Sequence, residues 1–181
     1  MLEQGYSNIH HKLIEGCRVN DRRSQTELYK LYYKAMYNTS FRIVNDAMEA
    51  EDIMQEAFLA AFGKIDTYSG QVSFGAWLKK IVVNRSLDEL RKKQIYFDDV
   101  SEHMDLADER EDSSPMESAR VTAEEIKAAI KNLADGYRII LSLYLLEGYD
   151  HEEISDILAI SSSTSRSQYT RARRKLLEMI N

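Results

Sequence analysis

Two clusters of basic residues are the parts of this sequence with the most evident chemistry. Residues 79–93 contain six Lys or Arg against two acids, and residues 166–175 contain five Lys or Arg with no acid between them. Local patches of this kind attract the phosphates of nucleic acid, whatever the net charge of the chain. We therefore expect two nucleic-acid-binding surfaces, although a solvated helix face is the alternative for either cluster taken alone.

An acidic segment separates these two clusters. Residues 98–117 carry nine acids and a single base, Arg110, so this segment has a net charge of −8. The whole chain has a net charge of −6, and the remaining residues therefore carry a net charge of +2. The segment also contains Pro115, the only proline. Such a composition cannot bury enough apolar surface to offset the entropy lost on ordering. We therefore predict an acidic flexible linker over residues 94–120 between a domain at 1–93 and a domain at 121–181.

Composition excludes several classes of protein. Seven Gly and one Pro in 181 residues favour an all-α fold, and the single Cys17 allows neither an internal disulfide nor a zinc cluster. No apolar run approaches the ~20 residues that span a membrane, and the amino terminus lacks the pattern of a signal peptide. The sequence thus predicts a cytoplasmic protein without membrane insertion.

An enzyme is a poor interpretation of the polar residues. The four His are scattered, and His151-Glu152-Glu153 lacks the second His of a zinc motif. The sequence contains no phosphate-binding loop and no nucleophile elbow. We therefore expect no catalytic residues, no bound metal and no cofactor.

Apolar residues at helical spacing organise the first domain into four helices. The pattern predicts a short helix over 8–19, in which Cys17 packs, and a longer one over 24–44. Asp46 with Glu49 predicts a capping box before a third helix, and Ser73 predicts the N-cap of a fourth. We expect Phe74 and Trp77 to lie mainly in the core of this bundle, with base stacking as the alternative for Trp77.

The second domain has the pattern of a helix-turn-helix. Capping boxes are predicted at Thr122–Glu125 and at Asp150–Glu153, a break at Asp135–Gly136, and an apolar helix over 137–146. In the last helix, one face carries residues suited to a core and the opposite face carries polar and basic residues. The core face is Ser165, Tyr169, Ala172 and Leu176; the polar face is Arg166, Ser167, Thr170, Arg171 and Arg174. This division suits a recognition helix in the major groove, although a plain bundle also contains amphipathic helices.

Three stretches of the chain resemble the bacterial sigma-seventy family of RNA polymerase initiation factors, and within it the extracytoplasmic-function (ECF) group. Residues 50–62, AEDIMQEAFLAAF, resemble the family helix that docks on the polymerase clamp. Residues 73–93 resemble the helices that melt and read the minus-ten element, and residues 147–176 resemble the module that reads the minus-thirty-five element. The resemblance implies a sigma factor that binds core RNA polymerase and promoter DNA, and it implies an anti-sigma factor as a further partner.

The resemblance also implies the residues of each surface. The polymerase-binding residues are Asp52, Gln55 and Glu56. The minus-ten residues are Asn84, Arg85, Asp88, Arg91, Lys92 and Lys93. The minus-thirty-five residues are Thr164, Arg166, Ser167, Thr170, Arg171 and Arg174. A stand-alone helix-turn-helix regulator is the alternative function, but it leaves the resemblance of residues 50–93 unexplained.

Two positions depart from the family pattern. The family usually has Gly-Thr-Val where this chain has Ser163-Thr164-Ser165, so a hydroxyl stands where a buried Val is expected. Gln168 replaces a common basic residue. We expect altered packing at the first position and the loss of a phosphate contact at the second.

Overall fold

The computed structural model describes residues 10–93 and 122–180, and these form two helical units. The described residues contain helices and connecting turns and no strand, which confirms the all-α prediction. The predicted linker at 94–120 lies outside the described residues. None of the described helices is both long and apolar enough to cross a membrane.

The first unit contains four α-helices. They are α1 (His11–Arg18), α2 (Arg22–Val44), α3 (Ala47–Gly63) and α4 (Phe74–Lys92), with a short 3₁₀ turn at Ile65–Thr67. The long α2 packs against each of the other three, and α3 also packs on α4. The core between them is built from fully buried aliphatic and aromatic side chains, including Leu28, Met36, Phe58 and Phe74.

The sequence predicted the aromatic residues of this core well. The Phe74 side chain is fully buried. Trp77 packs partly buried against the core, with its ring centroid 5.3 Å from that of Tyr68 and 5.7 Å from that of Phe74. These contacts confirm the core assignment of both residues.

Cys17 is also buried in this core, and desolvation raises the pKa of its thiol to about 11. The thiol therefore stays protonated near neutral pH, because the thiolate lacks the solvation it needs. This confirms that Cys17 packs.

Helix caps explain where most of these helices begin. The carboxylate of Asp21 accepts the backbone N–H of Ser24, so α2 begins two residues before the predicted start. Ser73 accepts the N–H of Ala76, as predicted. Asp46 accepts the N–H groups of Met48 and Glu49 and so caps α3. The predicted capping box is wrong in one respect, because the Glu49 carboxylate pairs with Lys93 of α4.

The second unit contains α5 (Ala123–Lys131), α6 (Asp135–Leu141), α7 (His151–Leu158) and α8 (Ser162–Ile180), and a π-helical turn at Ser142–Leu146 extends α6. Both predicted capping boxes, Thr122–Glu125 and Asp150–Glu153, are present. The predicted break at Asp135–Gly136 is wrong: the chain leaves α5 at Asn132, and Asp135 is already the first residue of α6. Helix α8 packs against α5, α6 and α7 and is thereby fixed on three sides.

The connection between α7 and α8 is a three-residue turn. Ala159 ends α7 in the left-handed conformation, with φ 57° and ψ 43°. The N–H of Ile160 then donates to the carbonyl of Ser155 at 3.1 Å, and Ser161 accepts the N–H of Thr164 and caps α8. The predicted helix-turn-helix is therefore present, with a turn held by its own backbone.

We predict that Gly16→Ala destabilises the first unit. A Cβ at residue 16 would lie 2.7 Å from the Cβ of Ser24, whose side chain is held by Asp21. Such overpacking costs about 1–3 kcal/mol. Gly63→Ala is the matched control, because a Cβ there meets nothing within 4 Å. Urea unfolding followed by the fluorescence of Trp77, the only Trp, reports on this unit; equal midpoints for the two variants would contradict the prediction.

We predict that Ala159→Gly stabilises the second unit. An L-residue in the left-handed region costs about 1–2 kcal/mol, and part of that strain is regained when Gly replaces it, so the expected gain is about 0.5–1 kcal/mol. Ala128→Gly in the middle of α5 is the control and destabilises by about 1 kcal/mol. Slower hydrogen exchange of the α7 and α8 amides in the Ala159 variant would support the prediction, whereas faster exchange would contradict it.

Candidate nucleic-acid and polymerase interfaces

One face of α3 is exposed along its length and carries the predicted polymerase-binding residues. Asp52, Gln55 and Glu56 are all exposed. Met48 and Leu59 lie on the same strip, because residues 48, 52, 55 and 59 follow helical spacing. The Met48 side chain is 80% exposed and the Leu59 side chain is 73% exposed. The strip therefore combines polar side chains with an exposed apolar side chain towards each end. The sequence analysis missed Met48 and Leu59, although their spacing from Asp52 and Gln55 was the available signal.

The structure brings together two residues that were predicted to lie on different surfaces. The Glu56 carboxylate accepts a hydrogen bond from Arg85 Nη1 at 2.8 Å, across 29 residues of sequence. Glu56 was assigned to polymerase and Arg85 to minus-ten DNA. Asp52 forms no ion pair with any described residue. A partner can therefore bind Asp52 without breaking an ion pair of this unit, whereas a partner of Glu56 has to compete with Arg85.

The carboxyl-terminal half of α4 carries five of the six predicted minus-ten residues, and the sixth, Lys93, is the C-cap of this helix. Asn84 and Asp88 lie one turn apart on an exposed face. Asp88 pairs with Arg91 at 3.0 Å, and Lys92 pairs with Glu89 at 3.2 Å. The remaining two cations pair with α3, Arg85 with Glu56 and Lys93 with Glu49. The hydrogen bond to Glu49 raises the pKa of Lys93. Each of the four predicted minus-ten cations is thus paired with a carboxylate of the first unit, which the sequence did not indicate.

Helix α8 divides into a buried face and an exposed face. The residues buried against the other helices are Ser165, Gln168, Ala172 and Leu176. Arg166, Ser167, Thr170 and Arg174 are exposed, whereas Thr164 and Arg171 are half-buried. The predicted core face was therefore wrong at one position: Gln168 is buried and Tyr169 is only partly so. The Gln168 side chain is turned into the unit, and its buried Oε1 has no hydrogen-bond partner among the described residues.

The hydroxyl groups of the exposed face bond to their own helix. Ser167 Oγ donates to the carbonyl of Thr164 at 3.0 Å, and Thr170 Oγ1 donates to the carbonyl of Arg166 at 3.0 Å. These side chains must rotate before they donate to a phosphate. In this geometry Ser167 and Thr170 offer oxygen acceptors, and the exposed Arg166 and Arg174 carry the N–H donors of this face.

The unexpected hydroxyl of Ser165 has a partner that the sequence analysis missed. Ser165 is fully buried and lies 2.9 Å from Nδ1 of His151 in the first turn of α7. The His151 ring stacks on Tyr144 at 4.7 Å and meets the edge of Tyr169 at 5.5 Å. Burial, followed by the charge of Arg166, lowers the pKa of His151, so the imidazole is neutral near pH 7. The departure from Val at residue 165 is thus accommodated by a hydrogen bond to His151.

Glu152 of α7 also contacts α8. Its Oε1 accepts hydrogen bonds from Ser162 Oγ at 2.8 Å and from Arg166 Nη2 at 3.2 Å. Consecutive residues of α7, His151 and Glu152, therefore hold the first turns of α8. The described residues contain no group of three or more His, Cys, Asp or Glu side chains that could bind a metal.

Two family models match the chain, one for each described unit. The model for sigma-70 region 2 matches residues 28–95, and the model for sigma-70 region 4 matches residues 123–176. Region 2 therefore covers most of α2 to α4, and region 4 covers α5 to the carboxyl-terminal half of α8.

Curated relatives match over most of their length. The chain is 29% identical over 178 residues to the ECF RNA polymerase sigma factor SigW of Bacillus subtilis, which covers 93% of this chain and 95% of SigW. It is 28% identical to SigM of the same organism, over 86% of this chain and 94% of SigM. It is also 29% identical to the RNA polymerase sigma-H factor of Pseudomonas aeruginosa, over 90% and 89% of the two chains.

Solved structures share the helical fold. The sigma factor RpoE of Bartonella quintana, in complex with the anti-sigma factor NepR, matches with a TM-score of 0.57 and 22% identity over 86% of this chain and 95% of RpoE. CnrH in complex with the cytosolic domain of CnrY matches with a TM-score of 0.55 and 18% identity over 93% and 94% of the two chains.

The two family models together span most of the described residues, and the relatives match this chain almost from end to end. The order of the regions is also that of the three stretches identified in the sequence. The chain therefore belongs to the sigma-70 family, in its ECF group, and is a sigma factor that directs RNA polymerase to promoters.

Proposed function

We propose that this sigma factor divides promoter recognition among three surfaces. The exposed strip of α3 binds the clamp of core RNA polymerase, α8 reads the minus-thirty-five element as duplex, and the end of α4 binds the minus-ten element and helps to melt it. It acts in the cytoplasm and catalyses no reaction of its own. An anti-sigma factor holds it inactive, a proposal supported by the complexes of RpoE with NepR and of CnrH with CnrY.

The exposed strip of α3 is the observation that carries this proposal. A stand-alone regulator needs only α7 and α8 to bind DNA, and nothing in that function requires Met48 and Leu59 to face solvent beside Asp52 and Gln55. Apolar anchors flanking polar groups are typical of a protein–protein interface, where the apolar contacts supply affinity and the charges supply specificity. A partner with basic and apolar residues on a helix surface fits this strip.

The two DNA surfaces suit different forms of DNA. Helix α8 carries the exposed Arg166 near its amino-terminal end and the exposed Arg174 two turns further on, and arginines on such a helix suit bidentate pairing with guanine in a major groove. At the end of α4, Asn84 offers an amide that can read the Watson–Crick edge of a base only after that base leaves the stack. The cations around Asn84 are paired with carboxylates, and the phosphates of an opened strand can replace those carboxylates one for one.

We predict that Asp52→Lys weakens binding to core RNA polymerase about tenfold, since it replaces an attraction at the interface by a repulsion. Asp52 is the better target than Glu56, because Glu56→Lys would also break the pair with Arg85 inside the unit. Asp156→Lys on α7 is the matched control, with the same charge change on an exposed helix of the other unit. Titration of labelled core polymerase measures both affinities. Unchanged affinity of a folded Asp52 variant would reject the assignment of this strip to polymerase.

We predict that Arg174→Ala and Asn84→Ala fail at different steps of initiation. If Arg174 contacts a base, its loss weakens the closed complex by roughly 1–3 kcal/mol on promoters with that base. If Arg174 contacts a phosphate, its loss weakens the closed complex by the same amount on every promoter. Loss of Asn84 leaves the closed complex near normal and impairs opening, because its target must first be extruded.

A closed-complex binding assay and permanganate footprinting, both with holoenzyme on a promoter it transcribes, separate the two steps. Normal opening by the Asn84 variant, or failure of both variants at the same step, would contradict the division between the surfaces. Arg173→Ala on α8 is a useful comparison, since Arg173 is exposed but does not belong to the predicted minus-thirty-five set.

A further inference from the structure

Glu152 connects the two helices of the helix-turn-helix through its carboxylate. It is the second residue of α7, and its Oε1 accepts hydrogen bonds from Ser162 Oγ and Arg166 Nη2 of α8. Arg166 belongs to the proposed minus-thirty-five surface. A carboxylate of the preceding helix therefore holds a side chain that faces DNA.

The same carboxylate supplies an anion that α8 lacks. The first turn of α8 contains no acidic residue of its own. The amino-terminal end of a helix carries a partial positive charge and attracts anions, among them the phosphates of DNA. Glu152 lies against Ser162, the first residue of α8, and so occupies this electrostatically favourable position. A phosphate that approaches here meets a negative charge.

The contact to Arg166 uses one of the two terminal nitrogens of the guanidinium. Arginine has five N–H donors in a planar fork, so a single bond to Glu152 leaves other donors free to pair with a base edge. Guanine offers two acceptors without a net charge, O6 and N7, which the carboxylate repels less strongly than it repels an anionic phosphate. A phosphate would give Arg166 the negative partner that it already has in Glu152. The phosphate would also be repelled by the Glu152 carboxylate.

We propose that Glu152 is a specificity-determining residue of the minus-thirty-five surface. Its carboxylate keeps the Arg166 guanidinium available for a base edge. It also weakens binding of that guanidinium to backbone phosphates, which are the same in DNA of any sequence. Side-chain exposures of 72% for Glu152 and 59% for Arg166 make the pair accessible to DNA, so its effect is on the choice of partner. This inference rests on the proposed assignment of Arg166 to promoter DNA.

The test compares full-length Glu152→Gln with the unaltered chain on duplex DNA of arbitrary sequence. The amide keeps the size of the side chain and an oxygen acceptor for Ser162 but removes the charge. We expect affinity for this DNA to rise several-fold at low salt, and the slope of log affinity against log salt to steepen by about 0.9, the contribution of one additional phosphate. Selection from randomised duplexes should show weaker base preference at one position. Asp156→Asn, with the same charge change on α7, should have a smaller effect.

Arg166→Gln decides how Glu152 acts. If Glu152 acts through Arg166, then Glu152→Gln has no further effect on affinity or slope in the Arg166→Gln background. An equal effect in that background, or an equal effect of Asp156→Asn, would overturn the inference, and so would a silent Glu152→Gln. If Arg166→Gln itself changed neither affinity nor base preference, the assignment of Arg166 to promoter DNA would fail, and the inference with it.

Discussion

Ion pairs between neighbouring helices hold three cations of the predicted DNA surfaces, two in the first unit and one in the second. Arg85 and Lys93 of α4 pair with Glu56 and Glu49 of α3, and Arg166 of α8 pairs with Glu152 of α7. Each cation belongs to a predicted DNA surface, and each carboxylate lies on the preceding helix. Exposed pairs of this kind contribute roughly 0–1 kcal/mol, so they order the side chains without fixing them. Clustered cations are therefore held on the folded surface by pairs weak enough to exchange a carboxylate for another anion.

The helices and their ends were predictable because their causes are local. An Asp or Thr three residues before a Glu brings both capping partners within one turn, and so Thr122–Glu125 and Asp150–Glu153 formed as predicted. The same pattern at Asp46–Glu49 gave the cap but not the box. A cation on another helix, Lys93, took the Glu49 side chain, and no local rule anticipates a partner that lies 44 residues away.

The site was predictable only as faces of helices. Spacing placed Asp52, Gln55 and Glu56 on one exposed side of α3, and the structure agrees. The pairing of Glu56 with Arg85 depends on how α3 and α4 cross, and this is set by the packing of the whole core. Gln168 illustrates the same limit at finer scale. From the sequence, a polar residue next to a basic helix face is expected to be exposed. The packing of α8 on three other helices instead buries Gln168.

The buried hydroxyl of Ser165 in the helix-turn-helix has a hydrogen-bond partner, whereas the buried side-chain oxygen of Gln168 has none among the described residues. A buried hydroxyl without a hydrogen bond costs about 1–3 kcal/mol. Ser165 avoids this cost through His151, whose ring is itself enclosed by Tyr144 and Tyr169. A Ser at this buried position thus depends on the neighbouring helix α7 for a partner that an apolar side chain would not need.

The burial of Cys17 has a consequence for how this sigma factor responds to oxidants. A thiol reacts as its thiolate, and the only thiol of this chain is enclosed in the core with a pKa of about 11. Peroxides and disulfides therefore meet no accessible thiolate at Cys17 of the folded protein. Oxidation of this sulfur requires the core of the first unit to open, so the reactivity of Cys17 reports on the unfolding of that unit.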